Sequence, residues 1–205
     1  MECLYCQLTT RPNAWAEVGQ AVAALRDSGD LQAEITAAFA IQIGLSINTV
    51  PVLMRSPDRA VLEAGAVALA SLPGVTGVTS WPMRAVSERA LAALRPEGGV
   101  YTNRWFHVRE SGVAEFEADT LTAWDDFEAR TGAEVVGLWS CAPKDGVVIY
   151  LLIARYDSLD AWDKSRFFNR GEDQRDADWM EKFRRRREMM VDSSVITTRC
   201  LFGPS

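Results

Sequence analysis

The chain has 205 residues, of which 48% are hydrophobic and 24% are charged, and this composition is typical of a globular protein with an apolar core. Its formal net charge of −6 argues against a general nucleic-acid-binding protein, which is usually basic. No apolar run approaches the roughly 20 residues that span a bilayer, and residues 1–10 lack the basic and apolar regions of a signal peptide. We therefore expect a cytoplasmic protein with no nucleic-acid partner and no membrane span.

Residues 1–97 have the pattern strand, helix, strand, strand, helix, strand. The stretch ECLYCQLT alternates as a strand does, and apolar residues recur at helical spacing after Pro12. The segments LQAEITAAFAIQIG, INTVPVLMR and VTGVTSW are rich in strand-forming residues. SPDRAVLEAGAVALASLPG predicts the second helix, with Ser56 as its candidate N-cap.

The stretch IGLSINTV lies where the second of these strands meets the third. A glycine interrupts its apolar alternation and an asparagine precedes TVPVL, so it is either one strand or two strands joined by a turn. Asparagine tolerates left-handed backbone and bonds its own backbone, which suits a turn. By analogy with the later stretch SCAPKDGVVIY, we favour a hairpin with its corner at Gly44–Asn48.

Residues 98–205 repeat this order of elements. VYTNRWFHV, AEVVGLWSC, GVVIYLLIARY and SSVITTRCL predict strands, whereas SGVAEFEADTLTAWDDFEARTG, SLDAWDKSRFF and DADWMEKFRRRREMM predict helices. The spacing supports a repeat, because Glu2 and Val50 are 48 residues apart and Val100 and Val147 are 47 apart. We therefore predict two tandem halves, residues 1–97 and residues 98–205.

A β-α-β-β-α-β unit of this kind is ferredoxin-like, which predicts an α+β fold. Each unit is an antiparallel sheet with helices on one face, so its other face must be covered. Two such sheets that pack together or close into a barrel would cover it, within one chain or with a second copy. A homodimer is therefore expected.

Several segments resemble the NIPSNAP family. In the second half, GGVYTNRWFHVRESGVAEF is similar to its GxVYELRTYxxxPGxxxEF, and GLWS, ARYDSLDAW and DADWMEKFRRRREMM are similar to its GxWx, xxYDSLxxR and DPxWxxFxxxxxPLL. In the first half, IGLSINTVPVLMRSPD is similar to IGxLNxVxxLxxYxS through Gly44 and Asn48. The chain departs from the family at Thr102 and Asn103, which replace a Glu-Leu pair, and at Ser111, which replaces the proline of a Pro-Gly turn.

The resemblance implies a fold of the dimeric α/β-barrel group and no settled activity. Relatives in that wider group include cofactor-independent monooxygenases, haem-degrading oxygenases and small isomerases or dehydratases. These classes define the alternatives for this chain.

The strand VYTNRWFHV carries most of the candidate site. Strand alternation places Asn103, Trp105 and His107 on one face and Arg104 on the other. His107, the only histidine, can act as a general base near neutral pH or ligate haem, or it can lie at the rim bonded to solvent or backbone. Arg104 lies among aromatic residues and must pair with a carboxylate or meet an anionic ligand, because an unpaired buried charge is costly.

Trp139 and Tyr150 come from adjacent predicted strands of the second half. They either pack in the core or form an aromatic wall for a flat ligand, with the Tyr150 hydroxyl as a polar contact. The basic run Arg184–Arg187 likewise has two interpretations, a solvated helix face balanced by nearby acids or a site for phosphate or another anion.

No dedicated metal or cofactor motif is present. Cys3 and Cys6 are spaced C-x-x-C, but they lie in an alternating strand and are expected to be buried structural thiols. Phosphate-binding loops, dinucleotide fingerprints, serine-hydrolase elbows and zinc-protease motifs are all missing from the sequence. We therefore expect no metal and no cofactor.

The favoured hypothesis is a NIPSNAP-like protein that binds a small apolar or anionic ligand in a barrel pocket, through Asn103, Arg104 and Trp105 together with Trp139 and Tyr150. The alternative is a small cofactor-independent monooxygenase or isomerase, with His107 as base and with Arg104 and Asn103 orienting an anion. Haem binding through His107 is the third hypothesis.

Overall fold

The computed structural model describes residues 1–92, 98–166 and 178–202. Within these ranges the chain forms two compact units. The first contains residues 1–85, 91–92, 98 and 196–202, and the second contains residues 86–90, 99–166 and 178–195. The proposed division at residues 97 and 98 stays a prediction.

The first unit has the predicted strand and helix order. Its elements are β1 (Glu2–Thr10), α1 (Trp15–Ser28), β2 (Glu34–Ile43), β3 (Thr49–Ser56), α2 (Arg59–Ala70) and β4 (Val75–Ala85). Strand β1 pairs antiparallel with β3 and with β4, and β2 pairs with β3. The last residues of β8 (Met190–Cys200) extend this sheet by pairing with β2.

The helix boundaries of this unit differ in part from the sequence-based expectation. Helix α2 is capped by Asp58, whose side chain accepts a hydrogen bond from the Ala60 amide at 2.8 Å. Ser56, the expected cap, instead accepts a hydrogen bond from the Asp58 amide and so orders the turn before the helix. The N-cap prediction was therefore wrong by two residues, because both residue types can cap and only the chain geometry selects one.

The hairpin between β2 and β3 is confirmed, with residues 44–48 as its corner. Gly44 takes the left-handed conformation, with φ of 102°. Asn48 does not, and its side-chain oxygen instead accepts a hydrogen bond from the Asn13 amide at 2.9 Å. Asn48 therefore ties the hairpin to the loop that follows β1.

The second unit repeats the order. Its elements are β5 (Val100–Arg109), α3 (Val113–Thr122), α4 (Trp124–Thr131), β6 (Glu134–Ser140), β7 (Val147–Tyr156), α5 (Leu159–Ser165), α6 (Asp178–Met189) and the first residues of β8. Strand β7 pairs antiparallel with β5 and with β6. Short 3₁₀ helices occur at Glu88–Leu91 and Glu110–Gly112.

Two local predictions in this unit have different outcomes. The turn before β7 contains Asp145 and Gly146 with φ of 53° and 74°, as a two-residue hairpin turn with Asp-Gly requires. The single helix expected before β6 is instead two helices, α3 and α4, which meet at Ala123. The break leaves Trp124 as the first residue of α4.

Each unit has its own core on the helix-covered face of its sheet. In the first unit this core includes the apolar residues Leu4, Cys6, Leu8, Val52 and Met54. In the second unit it is rich in aromatic residues and includes Phe106, Phe116, Trp124, Leu138 and Tyr150. In the ranges that the structure describes, no helix is long and apolar enough to cross a membrane.

Candidate functional site

A cavity of about 390 Å³ lies in the second unit, between one face of its sheet and the helices that cover it. Strands β5 to β8 and helices α4, α5 and α6 supply its walls. Five aromatic residues line it, namely Phe106, Trp124, Phe127, Tyr156 and Phe183. Four basic residues also line it, namely Arg104, Arg166, Arg186 and Arg187. No aspartate or glutamate is among the lining residues in the described part of the chain.

Strand alternation brings the β5 residues into this cavity. Thr102, Arg104 and Phe106 lie on the same face of β5, two residues apart. Their cross-strand partners on β7 are Ala154, Leu152 and Tyr150, which therefore share that face. The face that Arg104 occupies is thus the one covered by helices.

Arg104 is half-buried in the strand and its side chain lines the cavity. Burial lowers the pKa of Arg104, the Tyr156 phenol acts in the opposite direction, and the charges of Arg166 and Arg187 lower it further. A guanidinium nevertheless stays protonated in proteins. No carboxylate within the described ranges forms an ion pair with Arg104, so this strand carries a charge that an anionic ligand would stabilise.

Arg186 is the more deeply buried cation, with 4% of its surface exposed. Its Nη1 donates a hydrogen bond to Thr120 Oγ1 at 3.0 Å, and its Nε is buried with no partner among the described residues. The guanidinium lies over the Phe183 ring, 4.4 Å from the centroid. Burial, followed by the charge on Arg104, lowers the pKa of Arg186 to about 9.

The basic run Arg184–Arg187 divides between two environments. Arg184 forms ion pairs with Glu181 and Glu188 on the exposed face of α6. Arg185 donates from Nε to Asp119 of α3 at 3.1 Å. Arg186 and Arg187 line the cavity. The run is therefore neither a uniformly solvated face nor a continuous anion site, because consecutive residues of a helix lie on different faces of it.

Most of the residues predicted for the site lie away from this cavity. Asn103, Trp105 and His107 alternate with Arg104 and so project from the opposite face of β5. Asn103 is fully buried there, Trp105 is 9% exposed, and His107 is half-buried. Arg104 is thus separated from His107, the base that the catalytic hypothesis pairs with it.

Trp139 and Tyr150 do not share a face. Tyr150 pairs with Ser140 and with Phe106, whereas Trp139 pairs with Leu151 on the other face. Tyr150 packs 4.8 Å from the Phe116 ring, and its hydroxyl donates to Glu117 Oε1 at 2.8 Å. The two residues therefore cannot form one aromatic wall. Of the six predicted residues, Arg104 is the one that lines the described cavity.

Trp124 and Phe183 were not predicted for the site, and Arg186 was considered only as part of the run Arg184–Arg187. A signal was present, because Phe183 and Arg186 are three residues apart and so share one helical face. Arg184 falls on another face, with Glu181 and Glu188 at three and four residues distance. Treating the four arginines as one patch concealed this difference.

Comparison with known proteins gives a fold and no family. No family model matches the sequence, and no curated protein matches it. A candidate monooxygenase from Lactobacillus acidophilus NCFM is similar in structure, with a TM-score of 0.63 and 9% identity, over 98% of this chain and 93% of that one. A second candidate monooxygenase, from Fusobacterium nucleatum, has a TM-score of 0.61 and 8% identity over 98% and 92% of the two chains.

A third similar structure is an uncharacterised ferredoxin-fold protein of Listeria monocytogenes that is related to antibiotic biosynthesis monooxygenases. It has a TM-score of 0.50 and 11% identity, over 100% of this chain and 95% of that one. These likenesses confirm the predicted fold class, α+β with ferredoxin-like units. They do not extend to NIPSNAP proteins, so that resemblance stays a prediction, as does the homodimer.

Proposed function

We propose that the second unit binds a small organic anion in its cavity, between the sheet and helices α4 to α6. The observation that carries the proposal is the charge of the lining. Arg104 and Arg186 line the cavity, and the described lining residues include no carboxylate to neutralise them. The proposal retains the predicted anionic ligand and moves it to the helix-covered face of the sheet.

The volume and the apolar walls support an organic ligand over an inorganic ion. A cavity of about 390 Å³ falls in the size range of small-molecule sites, roughly 300–1,000 Å³. Away from the arginines the wall is formed by Trp124, Phe127, Val135, Leu152 and Ala154. Such a wall favours an apolar or flat ligand body, because the body then leaves water.

The catalytic alternative, a cofactor-independent monooxygenase or isomerase, receives less support. It needs a base within hydrogen-bond reach of the substrate. Histidine, aspartate, glutamate and lysine are all missing from the described lining, which leaves the Tyr156 phenol as its candidate proton-transfer group, and His107 projects from the opposite face of β5. The same position of His107 gives no support to a haem at this cavity. The cavity as described offers binding and orientation of an anion.

The first test is calorimetric titration with 2-naphthoate, using neutral 2-naphthalenemethanol as the matched ligand without charge. We expect the wild-type protein to bind 2-naphthoate at least about tenfold more tightly, because a charge-assisted hydrogen bond contributes roughly 1.5–3 kcal/mol. Arg104→Gln should weaken naphthoate binding by about the same factor and leave the neutral compound unaffected.

Arg184→Gln is the matched control, because it removes one arginine charge from the exposed face of the same protein. Equal losses in Arg104→Gln and Arg184→Gln would overturn the proposal, and so would equal affinity for the charged and neutral compounds. Native mass spectrometry of the protein as purified then reports any retained anion and the number of subunits.

A further inference from the structure

The cavity contains two cations that no described carboxylate neutralises. Arg104 has no acidic partner among the residues that the structure describes, and the neighbouring charges of Arg166 and Arg187 lower its pKa. Arg186 is hydrogen-bonded to a neutral hydroxyl, that of Thr120. Neither guanidinium group therefore forms an ion pair with a described carboxylate, and burial lowers the pKa of both.

Arg104 and Arg186 line the same cavity, and the Arg186 guanidinium lies 5.5 Å from the ring centroid of Phe106, which is two residues from Arg104 on β5. The Arg104 charge is, after burial, the largest cause that lowers the pKa of Arg186. Asp119 acts in the opposite direction on Arg186. However, both oxygens of Asp119 already accept hydrogen bonds from Arg185. Asp119 therefore compensates Arg185 first, and the repulsion between the two cavity arginines remains.

Arg166, a third cavity arginine, differs from Arg104 and Arg186 because it has a carboxylate partner in the described chain. Arg166 has the Asp163 carboxylate at 3.5 Å, so its charge is partly compensated within the chain. Arg186, by contrast, is fixed by the Thr120 hydroxyl and by the Phe183 ring beneath it. The Arg186 side chain is therefore positioned before the ligand binds. This favours an anionic ligand, because binding then costs little side-chain conformational entropy.

We propose that the ligand is a dianion with a flat apolar body, bound with its negative groups between Arg104 and Arg186. This inference rests on the proposed function and specifies its ligand class. Two carboxylates on one ring system and a phosphate monoester share the required chemistry. Each presents oxygens that can accept parallel hydrogen bonds from guanidinium groups.

The test compares matched naphthalene compounds at pH 8, where the carboxyl and phosphate groups of these ligands are fully ionised. The monoanion is 2-naphthoate, and the dianions are naphthalene-2,3-dicarboxylate and 2-naphthyl phosphate. We expect at least one dianion to bind the wild-type protein about tenfold more tightly than the monoanion, since it satisfies a second charged donor. The dianion that shows this advantage identifies the carboxylate or the phosphate as the preferred group.

Variants assign the preference to the two arginines. In Arg104→Gln and in Arg186→Gln the dianion and the monoanion should bind within about threefold of each other, because one charged donor is lost. Arg184→Gln should retain the tenfold preference. Arg186→Gln also removes a charge from the α3–α6 interface and can destabilise the fold. The ratio of dianion to monoanion affinity in the wild type and in Arg104→Gln is therefore sufficient to test the inference.

The failures are distinguishable. If 2-naphthoate binds and neither dianion binds better, the dianion inference is wrong and the proposed anion site stands. If none of the three compounds binds, both are wrong. If Arg104→Gln retains the dianion preference, the assignment to Arg104 and Arg186 is wrong even though a dianion is the ligand.

Discussion

The two units place different residues at matching positions of one β-α-β-β-α-β pattern. In the first unit Cys6 lies opposite Val52 on the neighbouring strand, and in the second Arg104 lies opposite Leu152. Cys6 is fully buried in the hydrophobic core of its unit. Arg104, at the matching position, lines a cavity. One register therefore carries a buried apolar thiol in the first unit and a cavity-lining arginine in the second.

The neighbouring positions show how the space arises. Met54 of the first unit corresponds to Ala154 of the second. Met54 lies opposite the residue two places before Cys6, and Ala154 lies opposite the residue two places before Arg104. The Met54 sulphur lies so near Gly65 of α2 that a Cβ there would be 3.1 Å from it. The smaller Ala154 side chain lines the cavity. The comparison teaches that side-chain volume, more than backbone pattern, decides whether such a unit has a pocket.

The largest expected effect comes from exchanging the matched residues. Cys6→Arg should lower the free energy of unfolding by about 3–5 kcal/mol or abolish folding, because it buries an unpaired charge in an apolar core. Arg104→Cys should change it by less than about 1 kcal/mol, since it removes an uncompensated charge from a cavity wall. Urea unfolding followed by tryptophan fluorescence measures both. Equal losses for the two exchanges would contradict the comparison.

Truncation of leucines should show the next effect. Leu8 is fully buried in the first core, so Leu8→Ala should cost about 3 kcal/mol. Leu152 is half-buried and borders the cavity, so Leu152→Ala should cost only about 1 kcal/mol, because fewer packing contacts are lost. The same unfolding measurement applies. A larger loss at Leu152 would show that the cavity is filled in solution.

The hydrogen bond that positions Arg186 should have a smaller effect. Thr120→Val keeps the side-chain shape and removes the acceptor, so it should cost about 2 kcal/mol and weaken 2-naphthoate binding. Thr122→Val is the control, because the Thr122 hydroxyl is exposed and donates to the Ala118 carbonyl. If both variants have the same stability and affinity, Thr120 does not position Arg186.

The smallest effect concerns pH. Burial raises the pKa of the Cys6 thiol to about 12, whereas an ordinary thiol ionises near 9. The unfolded chain therefore loses this proton first, and the stability that Cys6 contributes falls as the pH rises from 9 towards 12. Between pH 9.5 and 10.5, wild type should lose about 1 kcal/mol relative to Cys6→Ala. If the free energy of unfolding depended on pH in the same way in both proteins, the Cys6 thiol would not be buried from solvent.

Much of the fold could be predicted from the sequence because its signals are local. The Asp-Gly turn at Asp145 and the corner at Gly44 follow from backbone conformations that few residues adopt. The candidate site was harder to predict. Arg104 emerged because a charge among aromatic residues is conspicuous, but the faces of Trp139 and Tyr150 depend on the register between β6 and β7.

The sequence by itself determined the order of the elements, the repeat and the presence of an unusual arginine in β5. Only the tertiary structure decided which face of β5 the helices cover, and hence that Arg104 lines the described cavity while His107 lies on the opposite face. It also decided which arginines of α6 are neutralised, since the partner of Arg185 is Asp119, 66 residues away. Alternation and helical period sort side chains onto faces, but only long-range packing determines what each face meets.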